Sequence, residues 1–397
     1  MAPKKKRIKL FIIILFFLVY FLIAARPIPR ETILSFNWLT TLPSGTIRVD
    51  FPVPHDAPEA EFNNTIVSGR LLPFILDSSF GYIDFSGNYA LNQIRTDDIY
   101  LSPKMWTKYN AEPANIEINN IVENTIITIE NARGYPVLLD DRIFILGSDQ
   151  NSLSEIDSNG NIKWTYEFGA PLTSIDAAAG LVLTGSLDGV IEVFNSSGER
   201  IFYFETGGSR YSVILGVAIS RDGSHIGVIC GIDPQRFLLF ERFGESGDDY
   251  KVVHHEFLDT GFRHPVRILF IDEDRRIVFE REGGISCYSI RSRRGMFIPL
   301  DGQIVAIDES GDKGFFFLIT AHPNQQKKLI GIKFPHDRLF GASRTAALDS
   351  IFMKASFKSD DVFLGRTRTE GSRNLDYGSM LIIGGGNILI SFNIEEK

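Results

Sequence analysis

Seven histidines are the first residues in this 397-residue chain to search for chemistry: His55, His225, His254, His255, His264, His322 and His336. None stands in a His-x-x-x-His or His-Glu-x-x-His arrangement, the spacing that brings two imidazoles to one helical face around zinc. His254 and His255 are adjacent, and neighbours on a strand point to opposite faces. They are expected to be a polar surface pair, not a ligand pair. Asp272-Glu273-Asp274 lacks the spacing of a calcium loop and, followed by Arg275-Arg276, reads as a charged turn. Gly384-Gly385-Gly386 has no Lys-Ser or Lys-Thr after it, so it is expected to open a hairpin and not to cradle phosphate. Cys230 and Cys287 lie in apolar runs without metal or redox spacing and are expected to be buried free thiols. These residues give no catalytic constellation, and no cofactor or metal is expected.

The residues that could bind something are cations: Arg210, Arg263, His264, Arg267 and Arg344. Each belongs to a recurring junction in which glycine leads into a less polar strand, as in Gly207-Gly-Ser-Arg-Tyr-Ser-Val-Ile214 and Gly261-Phe-Arg-His-Pro-Val-Arg-Ile268. If such strands line a channel, the cations gather at one mouth. Guanidinium groups there would meet an acidic peptide or a carboxylate through paired hydrogen bonds. Their alternative role is to bridge neighbouring units through a local Asp or Glu. Phe80, Tyr82, Tyr89, Trp106 and Tyr109 could form an aromatic contact surface, but core is the safer expectation.

The elements that would position these groups come from a repeat. Ser154-Glu-Ile-Asp-Ser-Asn-Gly-Asn-Ile-Lys-Trp-Thr-Tyr-Glu-Phe-Gly169 is echoed by Ile191-Glu-Val-Phe-Asn-Ser-Ser-Gly-Glu-Arg-Ile-Phe-Tyr-Phe-Glu-Thr-Gly207, with Gly160 and Gly198 38 residues apart. Each copy is strand, polar turn with glycine, strand. Related landmarks begin at Phe80, Leu153, Val190, Phe237, Ile285, Leu329 and Ile388, and the five from Leu153 to Leu329 are 37 to 48 residues apart, a blade length. The wide gap around Asn115 to Arg133 reads as an insertion or a wrongly divided blade. With 32 Phe, 12 Tyr and 35 Gly spread along the chain, aromatic strands and short turns dominate. The fold class expected is all-β: a seven-bladed β-propeller of four-stranded antiparallel blades, with six or eight blades and a β-helix as alternatives.

The N-terminus adds a second expectation. Lys4-Lys5-Lys6-Arg7-Ile8-Lys9 precedes an apolar run from Leu10 to Ala25, which reads as a signal anchor, with a cleaved signal peptide as the alternative. This gives a cytoplasmic basic tail over 1–9, a transmembrane helix over 10–25 and a proline-rich stalk over 26–65. The propeller then spans 66–397, and Thr46-Ile-Arg-Val-Asp-Phe51 could supply an outer strand that closes the ring. The cation bias places the tail in the cytoplasm and the remainder outside. Acidic residues outnumber basic ones, 49 to 41, and the more so beyond the basic tail, so nucleic-acid binding is not supported.

Asn159-Gly-Asn-Ile-Lys-Trp-Thr-Tyr-Glu-Phe-Gly169 resembles the repeat of the PQQ-like propellers, in which a glycine turn precedes a Trp-bearing outer strand and a closing Gly. Ser197-Gly198 to Gly207 is similar, with Phe202 in place of Trp. The close match covers about residues 140 to 220; elsewhere the chain resembles WD40-like and quinoprotein-like propellers in general. Members include membrane-tethered bacterial scaffolds, among them an outer-membrane-protein assembly lipoprotein with eight blades, and quinone-dependent dehydrogenases. The chain lacks the lipid-accepting Cys of the former and the adjacent Cys pair of the latter. With the anchor, the acidic ring and the lack of catalytic clusters, the expectation is a protein-protein interaction scaffold of the bacterial envelope, a single-pass protein of the inner membrane with its propeller in the periplasm and another envelope or membrane protein as partner. The alternative is a periplasmic quinone- or sugar-dependent enzyme using the central channel.

Overall fold

A computed structural model describes residues 13–17, 19–20, 32–42, 71–84, 86–110, 115–121, 124–244, 249–259, 261–308, 314–334, 350–368 and 379–396. The described strands form eight antiparallel sheets, seven of four strands and one of three. They are the blades of a propeller: I (72–94), II (98–130), III (134–167), IV (172–205), V (211–258), VI (268–299), VII (303–358) and VIII (363–396). Blade VIII takes its outer strand from the other end of the chain, Thr32–Thr41, which pairs antiparallel with Ile388–Glu396 from Thr32↔Glu396 to Thr41↔Ile388. The ring is therefore closed by an N-terminal outer strand. The strand that does so lies ahead of Thr46–Phe51, a stretch outside the described residues.

Two expectations are corrected. The ring has eight blades, not seven, because the stretch read as an insertion or a wrongly divided blade is blade II, with strands Asp98–Leu101, Met105–Tyr109, Asn115–Asn120 and Thr125–Glu130. The expected transmembrane helix over 10–25 is also not retained. Helix is described at 13–17 and 19–20, and no helix of the described residues is long and apolar enough to cross a membrane. The apolar run falls short of the ~20 residues that a span needs. The signal anchor and the single-pass inner-membrane placement built on that run fall with it.

Burial explains the sequence pattern of the blades. A middle strand is covered by the blades on both sides, so both of its faces must be apolar. Accordingly Phe315–Ala321 reads FFFLITA and is buried almost throughout, as are Leu181–Ser186 and His225–Ile232. Outer strands face solvent and alternate, as in Ile162–Glu167 and Arg200–Glu205. Of the aromatic residues considered for a contact surface, Phe80 and Tyr82 of blade I and Trp106 of blade II are buried core, and Tyr82 Oη donates to the Ser102 carbonyl at 2.8 Å.

The repeated phrase in the sequence is a turn. Asp157 Oδ1 accepts the amides of Asn159 and Asn161 at 2.8 and 2.9 Å. Asn195 Oδ1 accepts those of Ser197 and Glu199, both at 3.0 Å, and Asp84 Oδ1 those of Ser86 and Asn88, both at 2.8 Å. The glycine of each turn has a left-handed backbone: φ is +89° at Gly87, +84° at Gly160 and +80° at Gly198, which glycine adopts without strain. By this turn the three strands of blade I correspond to the second, third and fourth strands of the other blades. All seven landmarks are then third strands.

Trp164, the residue that carried the family resemblance, lies on the outer strand of blade III and packs across to blade IV. Its ring stacks on Phe194 with centroids 6.1 Å apart, and its indole N–H donates to Glu155 Oε2 at 2.7 Å. Burial alone would raise the Glu155 carboxyl, but hydrogen bonds from Arg142, Lys163 and Trp164 outweigh it and hold the group below its ordinary 4.5. A depressed carboxyl contributes stability above its unfolded value that is lost as pH falls through the folded one. The wild type is therefore expected to lose stability on acidification below about pH 4.5 more steeply than Glu155→Gln, and urea midpoints from pH 7 to 3 measure the difference.

Cys230 and Cys287 are free and buried. Burial pushes the Cys287 thiol up to about 12 and raises that of Cys230. Because the thiolate is the reactive form, both are expected to resist alkylation at pH 8 and to react fully once urea unfolds the ring. Mass spectrometry of iodoacetamide-treated protein would read this.

Candidate functional site at the linker face

Antiparallel blades place two kinds of connection on one face of the ring: the turns between second and third strands, and the linkers from each outer strand to the next inner strand. Three of the five cations singled out in the sequence sit together on one such linker, which enters blade VI. Arg263 is exposed and faces Asp233 Oδ2 at 3.9 Å. His264 packs at a tilt on Phe262, with centroids 4.6 Å apart, and its Nδ1 lies 2.8 Å from the Pro265 carbonyl. Arg267 Nη1 donates to Glu280 Oε1 and to the Ile304 carbonyl, both at 2.9 Å, and Nη2 to the Val305 carbonyl at 3.2 Å. Ile304 and Val305 belong to blade VII, so Arg267 takes the bridging role. Arg210 stands one blade away, at the start of blade V, where its amide donates to the Asp233 carbonyl at 3.0 Å. Asp233 thus touches both Arg210 and Arg263. Arg344 lies outside the described residues.

A cavity of about 460 Å³ opens beside this linker, lined by Phe262, His264, Arg267, Glu280, Arg281 and Gln303 among others. Arg281 was not anticipated. It sits within the second strand of blade VI, and its partners Glu256, Asp259 and Phe297 are all distant in sequence, so no local spacing marks it. A second cavity of about 450 Å³ follows the channel wall, where Val217, Ile268, Leu269, Ile307 and Leu364 leave Arg267 as the charged group.

A further surface feature lies on the same face over blades IV and V. Leu187 and Tyr211 are exposed there, and Tyr203 is exposed on the outer strand of blade IV. The turn bearing Leu187 packs against the linker bearing Tyr211, since a Cβ on Gly189 would meet Ser212 at 2.6 Å. Arg200 lies over the Tyr203 ring at 5.0 Å and Arg210 over the Tyr211 ring at 5.3 Å. Exposed aromatic and Arg side chains of this kind carry much of the energy where proteins meet.

The other candidates have structural roles. A bulge opposite Leu239 and Phe240 separates Val252 from His254 in the pairing. His254 packs on Tyr288 and His255 on Phe257, with centroids 4.3 and 4.6 Å apart, so the two rings have different surroundings. Asp272-Glu273-Asp274 is the turn between the first two strands of blade VI, all three in the left-handed region, with Asp272 clamped by Arg275 and Arg276. Gly384 and Gly385 end a strand, and Gly386 leads the tight turn into Ile388–Glu396. On the opposite face Ser224 Oγ lies 2.7 Å from His225 Nδ1, a pair not foreseen. Ser224 is itself part of a turn ordered by Asp222 and Ser220. Among the described residues no three or more His, Cys, Asp or Glu are grouped to hold a metal ion.

Comparison with known proteins is consistent with this architecture. A protein of Treponema pallidum (strain Nichols), described as uncharacterized, is 26% identical over 294 residues, covering 74% of this chain and 75% of that protein. The crystal structure of BamB from Moraxella catarrhalis superposes with a TM-score of 0.53 at 10% identity, over 91% of this chain and 100% of the other. The computationally designed Ika8 protein gives a TM-score of 0.56 at 11% identity, over 89% and 99%. At such identities these two likenesses establish the fold alone. A family described as a beta-propeller protein matches residues 1–369, and the chain belongs to that family of β-propeller proteins.

Proposed function

We propose that this chain is a protein-interaction scaffold of the bacterial envelope, presenting the linker face of blades IV to VI to another envelope protein. The exposed Leu187 and Tyr211, with Arg210 laid over the Tyr211 ring, carry the reading. A ring of interlocked sheets keeps such groups in place, so that little ordering entropy remains to be lost on binding. The relative in Treponema pallidum supports a bacterial setting, the fold shared with BamB supports an envelope role, and the pattern around Trp164 supports a PQQ-like lineage.

The experiment is crosslinking in cells producing the tagged full chain, followed by recovery from the envelope fraction. It compares wild type with Leu187→Ala/Tyr211→Ala. A defined partner captured by the wild type and lost in the double variant is the expected result. Recovery of the wild type alone, or capture indifferent to the substitutions, overturns the proposal.

A further inference from the structure

The cavity beside the linker into blade VI has an uneven lining. Arg267, Arg281 and His264 face one carboxylate, Glu280. Glu280 is buried and already occupied, accepting the Arg267 amide at 3.0 Å and its guanidinium at 2.9 Å. The lining itself holds this one carboxylate, and Arg281 is balanced from outside it by Glu256 and Asp259.

Arg281 shows where an anion would go. Its side chain is 12% exposed and lies over Phe297, 5.1 Å from the ring centroid. One arm reaches Glu256 at 3.3 Å. The other reaches Asp259 at 3.3 Å, and that aspartate is 95% exposed. A carboxylate so exposed gains little from the contact, because water competes for it. A carboxylate arriving in the pocket would replace it on the same arm and leave no buried charge unpaired.

The rest of the lining suits the neighbour of such a carboxylate. Phe262, Pro265, Val266 and Ile304 give an apolar side. The turn between the second and third strands of blade VI contributes Gly283, where an added Cβ would meet nothing within 4 Å. At about 460 Å³ the space lies in the usual range for a ligand site.

We propose that this pocket takes a carboxylate carried beside an aliphatic side chain on an extended peptide segment of the partner, with Asp259 as the internal carboxylate that it displaces. The proposal rests on the scaffold reading and names the chemistry of the segment recognised. A terminal carboxylate and a glutamate side chain offer the same group, and the test separates them.

Fluorescence anisotropy on the full chain would use three labelled probes: Gly-Ser-Gly-Ile-Leu with a free C-terminus, the same peptide amidated, and amidated Gly-Ser-Glu-Ile-Leu. At least one carboxylate probe is expected to bind 10-fold or more tightly than the plain amide, and which of them does so identifies the source. Gly283→Asn places a side chain in open space at a backbone angle that Asn tolerates, and is expected to weaken binding 10-fold or more. Asp259→Asn, at a fully solvated position, is expected to strengthen binding several-fold by removing the competitor. A purely structural Asp259 would give no such gain. Equal binding of all three probes, or an Asp259→Asn variant no tighter than wild type, overturns the proposal. If a partner is captured through Tyr211 while the probes bind equally, the pocket falls and the scaffold stands. If the probes discriminate and nothing is captured, the carboxylate site stands and the scaffold falls.

Discussion

Replacing Arg366 with Met is expected to destabilise the ring by about 3–5 kcal/mol, the usual cost of stranding one partner of a buried ion pair. Arg366 lies on the inner strand of blade VIII, and its Nε is 3.0 Å from Asp308 Oδ2, which follows the inner strand of blade VII. Both side chains are 1% exposed. The guanidinium also sits 4.9 Å from the Phe315 ring centroid of blade VII. Met keeps the length and packing but removes the charge, so the Asp308 carboxylate is left in the interior without its cation. The double variant Arg366→Met/Asp308→Leu should recover much of the loss, since an apolar pair of similar volume carries no desolvation cost. Urea denaturation of the single and double variants gives the comparison. A single variant within about 1 kcal/mol of wild type would mean that the pair contributes little to joining the two blades.

Gly198→Val should cost about 2–5 kcal/mol, combining a left-handed backbone without glycine and an overpacked contact. The backbone at 198 has φ +80°, and a Cβ there would lie 2.4 Å from Cγ of Trp164. Gly180→Ala separates the two contributions. Its φ is +73°, and a Cβ there would meet nothing within 4 Å, so it should cost about 1 kcal/mol from the backbone alone. The Trp164 emission is the second readout, because the indole must move for the valine to fit. Equal losses at the two sites would show that the packing of Trp164 on the turn contributes nothing.

That same contact explains why these two copies of the repeat were so legible. Trp164 of blade III covers the turn glycine of blade IV, while Gly160 packs against blade II, where a Cβ would meet the Thr128 carbonyl at 2.4 Å. Position by position, the turn requires an Asx acceptor, a left-handed glycine and alternating outer residues, and those requirements are visible in one dimension. Blade II escapes the pattern because its turn keeps the Asx acceptor, with Asn120 Oδ1 taking the Asn124 amide at 2.9 Å, but has no glycine. Its third strand, Asn115–Asn120, reads NIEINN, and the turn that follows has no Asx-x-x-Gly run. Thr32–Thr41 was passed over as stalk because pairing with Ile388–Glu396 is a contact across the whole chain, which no local pattern announces.

The site divides in the same way. The glycine junctions placed Arg263, His264 and Arg267 on one linker, and strand-to-strand order put that linker at a mouth of the ring. What each cation does there depends on partners from other blades. Arg267 is spent on Glu280 and on two carbonyls of blade VII, whereas Arg281, with no signature of its own, has an arm held by a solvated aspartate. Tyr203 and Tyr211 look in sequence like any other strand aromatics, and only the stacking of blades decides which rings are left outside.

The pairing of Thr32–Thr41 with Ile388–Glu396 also sets a timetable. On a ribosome the closing strand emerges first and its partner last, so at ordinary elongation rates the first strand waits roughly 20–70 s for its mate. Through that interval a ten-residue edge rich in apolar side chains, TILSFNWLTT, is available to any other strand, including the same segment of a neighbouring nascent chain. Closure of the ring is thus gated by synthesis of Ile388–Glu396, and its yield in a crowded cell should depend on how well this one segment is shielded until the last blade arrives.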